Sequence, residues 1–295
     1  MPAPGAPVLR LRRLGIDAPQ QAIVYLRADH PLCQGSGPQT QVEVSLDHRH
    51  IFATLNPVHG ELLEPGAAGL SEAAWADLRA TEGMRVTLRD LGPIGSVGAL
   101  RAKIFGRELA DDQWRDIIGD VVADRYSSLH LAALVVACTS GHMTQRETVG
   151  LTRAMVGAGQ RLAWPFATVV DKHCVGGLPG NRTTPIVVSI VAACGGVIPK
   201  TSSRAITSAA GTADAMETLA PVNLSLAQMR WVVEREGACI VWGGSVGLSP
   251  ADDRLIRVER VLDLDGEAQL VASVLSKKIA AGSSRVLIDL SLIHI

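Results

Sequence analysis

Residues 171 to 185, DKHCVGGLPGNRTTP, place Lys172, His173, three glycines, Arg182 and two threonines between two apolar runs. Ala167 to Val170 precede them, and the stretch from Ile186 to Cys194 follows. The pattern predicts a strand giving way to a helix. Thr184 is an N-cap type, Pro185 suits the first helical position, and Gly195 or Gly196 closes the helix. A helix N-terminus presents unpaired N–H groups and partial positive charge, while Gly176, Gly177 and Gly180 let backbone approach a ligand. With Lys172 and Arg182 at the same turn, an oxyanion, phosphate first, is the fitting occupant. Alone, the pattern leaves both an anion cradle and an ordinary solvated turn open.

A second turn strengthens the first reading. After GVIP comes KTSSRAITSAAGTADAMETL, where Lys200, Ser202, Ser203, Arg204, Thr207, Ser208 and Thr212 crowd hydroxyls and cations ahead of another helix. Ligands of open α/β sheets bind outside the carboxyl ends of strands, so two such turns can converge. Neither is a Walker A loop, and neither matches Gly-x-Gly-x-x-Gly. Metal chemistry finds little support. His30 with Cys33, or His48, His50 and His59, lack a second pair at ligand spacing, and Asp252 and Asp253 read equally as a helix start. No metal is expected.

These turns must be held by a frame, and its elements are legible. QVEVSL alternates as a strand, with further strand-like pieces at AIVYL, HIFATL and MRVTL, so residues 1–88 predict a small β-rich domain. Residues 90–98, DLGPIGSVG, read as a linker. Trp114, Ile117, Ile118, Val121 and Val122 then draw one helix face, SLHLAALVVAC a second helix, and Thr144 to Glu147 a capping box, giving a helical subdomain over 99–165. From 166 to 295, ATVV, GVIPK, ACIVW and SRVLIDL alternate with loops and helices. The expected fold class is α/β: a mainly parallel sheet with helices plus a helical subdomain, preceded by the β-rich domain.

Composition narrows the class further. At 47% hydrophobic residues the chain can bury real cores, and its net charge of −1 argues against a generally basic nucleic-acid binder. Five cysteines without a Cys-x-x-Cys pair suit reduced thiols, with Cys33, Cys138, Cys194 and Cys239 expected to be buried. With neither a signal peptide nor an apolar span in view, the expected compartment is the cytoplasm, with no membrane partner.

The segments LRRLGID, ALRAKIFG, DKHCVGGLPGNRTT, PKTSSRAITSAAGTADAMETLAPV, VWGG, SPADD and ASVLSKK resemble the thymidine phosphorylase family, closest to the branch with the AMP phosphorylases, over nearly the whole chain. The resemblance implies a pentosyltransferase that cleaves an N-glycosidic bond with inorganic phosphate as co-substrate and no organic cofactor, releasing base and pentose 1-phosphate. It implies phosphate contacts at Lys172, Thr184, Ser202 and Thr212, and nucleoside or nucleotide contacts at Gly177, Ser203, Arg204, Ala205, Ile206, Thr207, Ser208, Ser273 and Lys277. Asp265 corresponds to the proton donor, His173 would face the base, and Arg257 is a looser match. A homo-oligomer is implied as well. The residues also carry plainer readings: Asp265 as N-cap of GEAQLVASVLSKK, Ser273 in the core, Lys277 solvated beside Lys278.

Two departures stand out. Cys174 replaces the family's serine, a poorer hydrogen-bond partner for phosphate. Family members continue into a further domain, so VLIDLSLIHI is expected to be a C-terminal truncation with an unrelated tail. Three alternatives remain: an AMP phosphorylase yielding adenine and ribose 1,5-bisphosphate, an anthranilate-type phosphoribosyltransferase using Mg²⁺, and a nucleotide-binding module without turnover.

Overall fold

The computed structural model describes residues 7–18, 21–34, 37, 40–139, 143–175, 177–204, 210–264 and 266–290, the side chains of 175–182 excepted. Two compact units divide it, residues 1–95 with 123–127 and residues 96–122 with 128–295.

The first unit is a closed barrel of six strands in the order β1-β5-β2-β4-β3-β6. They are β1 (Val8–Arg13), β2 (Ile23–Arg27), β3 (Gln41–Leu46), β4 (Arg49–Val58), β5 (Ala67–Leu70) and β6 (Arg85–Asp90). Alternation puts Val42, Val44 and Leu46 of β3 inside with Leu9, Leu11, Val86 and Leu88. Closure satisfies the backbone of every strand that an open sheet would leave bare. The four strand-like pieces read from sequence are all strands. β1 and β5 were not legible: VLRLRR carries arginines at three of its six positions, and AAGL is too short to show a period. Helix α1 (Glu72–Leu78) was missed too. Ser71 caps it, its hydroxyl accepting the Ala74 N–H at 3.3 Å while donating to the Gln21 carbonyl at 2.8 Å.

The second unit opens with four helices, α2 (Val97–Ile104), α3 (Asp111–Val122), α4 (Ser128–Thr139) and α5 (Gln145–Gly157). The stretch read as linker therefore ends two residues sooner than expected. α3 buries Trp114, Ile117, Ile118 and Val121 as its spacing predicts. At α5 the capping box is present, with Thr144 Oγ1 accepting the Glu147 N–H at 3.2 Å and Glu147 accepting the Thr144 N–H at 3.1 Å. The same carboxylate takes both bonds of Lys103 Nζ, at 2.7 and 2.8 Å, in a fully buried pair that ties α2 to α5.

The α/β portion follows as β7 (Val170–Val175), α6 (Gly177–Ala193), β8 (Ile198–Ser202), α7 (Thr212–Glu217), α8 (Leu226–Glu236), β9 (Ala238–Trp242), α9 (Pro250–Leu262), α10 (Glu267–Ala280) and β10 (Arg285–Leu290). Its strand pairs are parallel, as expected: β10 on β7, with Leu287 opposite Lys172 and Asp289 opposite Cys174, and β8 on β9. The Val170 N–H, bonded to the Val197 carbonyl at 2.9 Å, links the two pairs.

Three local expectations are corrected. The strand begins at Val170, later than ATVV suggested, so Asp171 to Cys174 lie within it rather than in the turn. α6 starts at Gly177, not at Thr184; Pro185 sits inside it, so Thr184 is a helical residue facing the strand rather than the N-cap. Proline at 179 is no obstacle to that early start, since a first-turn residue has no helical N–H partner to lose. Cys194 is exposed and Cys33 half-buried, whereas Cys138 and Cys239 are buried as expected. Gly195 does close α6, at φ 79°.

Candidate active site at the carboxyl ends of the parallel strands

Strand periodicity sorts β7 into two faces, with Lys172 and Cys174 on one and Asp171 and His173 on the other. On the first face Lys172 Nζ touches Cys174 Sγ and lies 3.1 Å from Asp289 of β10, whose carboxylate accepts the thiol at 3.2 Å. Thr184 of α6 approaches from the helix side, its hydroxyl 3.9 Å from the same sulfur. Lys172 is 4% exposed, so the reading of it as a solvated lysine fails. Burial lowers its pKa, but contact with Cys174 and Asp289 outweighs this and the net direction is upward, which keeps the ammonium charged.

The second face meets α10. Lys278 Nζ lies 2.8 Å from Asp171 and donates to the Thr201 carbonyl at 2.5 Å and the Thr201 hydroxyl at 3.1 Å. Lys200 Nζ donates to the Lys172 carbonyl at 2.6 Å. One residue earlier in α10, Lys277 pairs with Asp252 of α9 and donates to the Ser203 hydroxyl at 2.9 Å, with the Ser273 hydroxyl at 3.5 Å. Both lysines of α10 are buried, at 5% and 1% exposure, so neither is solvated. His173 lies among these lysines. Burial first, and then its lysine neighbours, push its pKa down to about 2, so it is a neutral imidazole able to donate from one nitrogen and accept at the other.

The other expected contacts distribute as follows. Ser202 ends β8, nearly buried, with its hydroxyl donating to the Ser203 carbonyl at 3.2 Å. Thr212 is the first residue of α7, whose N-cap is Gly211. Arg204 is fastened outward: it bonds Asp214 at 2.9 Å and Glu217 at 2.7 Å and lies 4.9 Å over the Trp242 ring. Its hydrogen bonds to the Glu217 and Asp214 carboxylates push its pKa further up. Gly177 begins α6. Arg257 is exposed on α9, where Asp252 and Asp253 occupy the first turn as the sequence suggested. Asp265, Ala205, Ile206, Thr207 and Ser208 lie outside the described residues. The N-cap position of α10 is Gly266. Of the metal candidates, His30 Nδ1 accepts the Leu32 N–H at 3.2 Å, a local turn contact.

Asp171, Lys278 and Asp289 were not singled out as site residues, and Asp252 was weighed only as a metal ligand or a helix start. The signal that could have found them is charge embedded in apolar segments: Asp171 directly after Ala-Thr-Val-Val, Asp289 within Val-Leu-Ile-Asp-Leu, and Lys278 within Val-Leu-Ser-Lys-Lys-Ile-Ala. Asp171 and Lys278 are buried as a pair, and Asp289 is half-buried against Lys172.

Two family models match the chain. The helical bundle domain of a glycosyl transferase family matches residues 97–159 and the a/b domain of that family matches residues 167–265, together more than half of the chain. A "Putative thymidine phosphorylase" of Polaromonas sp. (strain JS666 / ATCC BAA-500) is 61% identical over 96% of this chain and 56% of the relative. One so named in Legionella pneumophila is 56% identical over 96% of this chain and 55% of the relative. The chain thus spans about half the length of the curated relatives it matches. Among solved structures, anthranilate phosphoribosyltransferase from Thermus thermophilus superposes with a TM-score of 0.55 over 64% of this chain and 57% of that one, at 22% identity, a likeness of fold alone. With both of its domains present in sequence order, the chain belongs to this glycosyl transferase family.

Proposed function

We propose that the chain forms the phosphate- and nucleoside-binding part of a thymidine phosphorylase-type pentosyltransferase. The observation that carries this reading is the β7 sidedness: a charged, nearly buried Lys172 beside Thr184 on one face, and on the other a neutral His173 near Lys277, Ser203 and Ser273. Relatives 55–61% identical that bear the thymidine phosphorylase name support it.

In this reading phosphate is the nucleophile and needs no activating base. Lys172, with Thr184, Ser202 and Thr212, holds it against the anomeric carbon, and the gain is one of orientation and charge compensation. As the glycosidic bond breaks, the base gathers negative charge. His173 and Lys277 offset it, and Asp265 supplies a proton. Gly177 and the 203–208 segment hold the sugar or its 5′-phosphate, and Ser273 the base. Inorganic phosphate is the co-substrate, no organic cofactor takes part, and the enzyme acts in the cytoplasm as a homo-oligomer.

The test is release of free base from thymidine, uridine, AMP, CMP and UMP, with and without phosphate. Base from at least one substrate, phosphate-dependent and needing far more phosphate in Lys172→Ala, is the expected result. AMP as the preferred substrate would place the activity with the AMP phosphorylases. Turnover that instead requires Mg²⁺ and phosphoribosyl pyrophosphate would overturn phosphorolysis in favour of phosphoribosyl transfer, and binding without turnover would favour a nucleotide-binding module.

A further inference from the structure

Around the base of β7 the described side chains include four lysines that are almost wholly buried, Lys172, Lys200, Lys277 and Lys278, at 4%, 2%, 5% and 1% exposure. Three carboxylates face them, each claimed by a particular lysine: Asp289 by Lys172 at 3.1 Å, Asp171 by Lys278 at 2.8 Å, and Asp252 by Lys277 in direct contact. Lys200 is the fourth lysine of a set with three counter-charges. Its nearest carboxylate oxygen is Asp171 Oδ1 at 3.8 Å, beyond hydrogen-bond range, and that oxygen already accepts the Lys172 N–H at 2.7 Å. What Lys200 has is a neutral acceptor, the Lys172 carbonyl at 2.6 Å.

A buried ammonium without its own anion is costly, and the usual outcome is loss of the proton. Asp171 and Cys174 relieve this only in part. From β7 come Asp171, Lys172, His173 and Cys174, and from α10 come Lys277 and Lys278. α8 turns Met229 and Val233 inward and leaves Arg230, Glu234, Arg235 and Glu236 exposed, while the described side chains of α6 carry no titratable group before Cys194. Burial, followed by repulsion from Lys278, drives the Lys200 pKa well below the ordinary lysine range.

We propose that Lys200 is a proton-accepting member of the anion site: it stands neutral in the ligand-free protein and takes up a proton from solvent when a tetrahedral dianion binds beside Lys172. The inference rests on the anion-site reading above and adds a residue and a linkage to it. The incoming dianion supplies the counter-charge that the cluster lacks. The carbonyl that Lys200 holds belongs to Lys172 itself, so the added charge stiffens the segment that presents the anion-binding ammonium. By linkage, anion affinity then falls as pH rises, by at most about tenfold per pH unit.

Sulfate is the probe, because it stays a dianion throughout the range where phosphate titrates. Calorimetric titration of the chain with sulfate in buffers of different ionisation enthalpy counts the protons exchanged. The expected result is uptake of up to about one proton per sulfate, retained in His173→Gln and lost in Lys200→Arg, whose guanidinium is always charged. Lys200→Met, neutral and of similar volume, should bind sulfate more weakly and without pH dependence between about pH 6 and about pH 9. Sulfate binding by the unaltered chain without proton uptake overturns the proposal, as does uptake that persists in Lys200→Arg or vanishes in His173→Gln. No turnover enters the measurement. Failure of base release would count against phosphorolysis and leave the proton linkage standing, whereas proton-silent sulfate binding would do the reverse.

Discussion

At the residue scale, Lys172 and Cys174 share one face of β7 and converge on Asp289. An anion binding there competes with a resident carboxylate, and the lysine supplies the attraction. Lys172→Ala should weaken phosphate use by about ten- to a hundredfold, the worth of a charge-assisted contact of roughly 1.5 to 3 kcal/mol, read as the phosphate concentration for half-maximal rate. Cys174→Ser should hold or improve phosphate affinity, since a hydroxyl donates better than a thiol; a loss would show that sulfur has a role of its own. His173 carries a stability consequence. Its folded pKa of about 2 lies below the ordinary histidine value, so the unfolded chain binds the extra proton and stability is lost as pH falls through the unfolded value. Between about pH 7 and about pH 5.5 the loss should be on the order of 1 kcal/mol. Burial shifts His30 and His130 downward as well, so the unfolding difference between the unaltered chain and His173→Gln, followed across that window, isolates the contribution.

At the element scale, Glu147 closes the capping box of α5 while its carboxylate receives Lys103 of α2 and the Leu109 N–H at 2.9 Å. Lys103→Met leaves that carboxylate buried and unpaired, and should cost about 3 to 5 kcal/mol in urea unfolding; adding Glu147→Gln should restore part of it. A cost below about 1 kcal/mol would mean that water reaches the pair. This residue also marks what the sequence disclosed. The spacing of Thr144 and Glu147 announced the helix start, because capping is a contact between near neighbours. The partner across α2 was invisible, being 44 residues away. The site divides in the same manner. Lysines, hydroxyls and glycines near two strand-to-helix turns were legible as anion chemistry, and the strands β3, β8, β9 and β10 as β-branched or alternating runs, whereas β7 was foreseen only at its first residue, Val170. What could not be read was that Asp171 would meet Lys278, or Lys172 meet Asp289, since periodicity assigns a face and only tertiary register assigns the partner. Pro185 misled for a related reason: its preference for a helix start is local, and α6 begins two turns earlier.

At the scale of the whole molecule, the barrel core is drawn from residues between Leu9 and Leu88 alone. A barrel closed on itself has no strand edge waiting for a partner, so residues 1–95 expressed alone should unfold cooperatively in urea with protected amides in β2 to β4. A non-cooperative, ANS-binding fragment would show that the barrel depends on the rest of the chain. The second unit is governed by the parallel pairing of β10 with β7, which sets Asp289 opposite Cys174. Slipping that register by one residue would present Ile288 or Leu290 to Lys172, because strand side chains change face at every step. The connector from α10 to β10, residues 281–284, is therefore a ruler. Gly282 within it has a φ of 78°, and a Cβ there would lie 2.6 Å from the Leu162 carbonyl oxygen, so its path is fixed as well as its length. Surface connectors ordinarily tolerate insertion and deletion over descent; this one cannot, and lineages that keep the lysine's counter-ion should drift by substitution around a retained Gly282 while the number of residues is inherited unchanged.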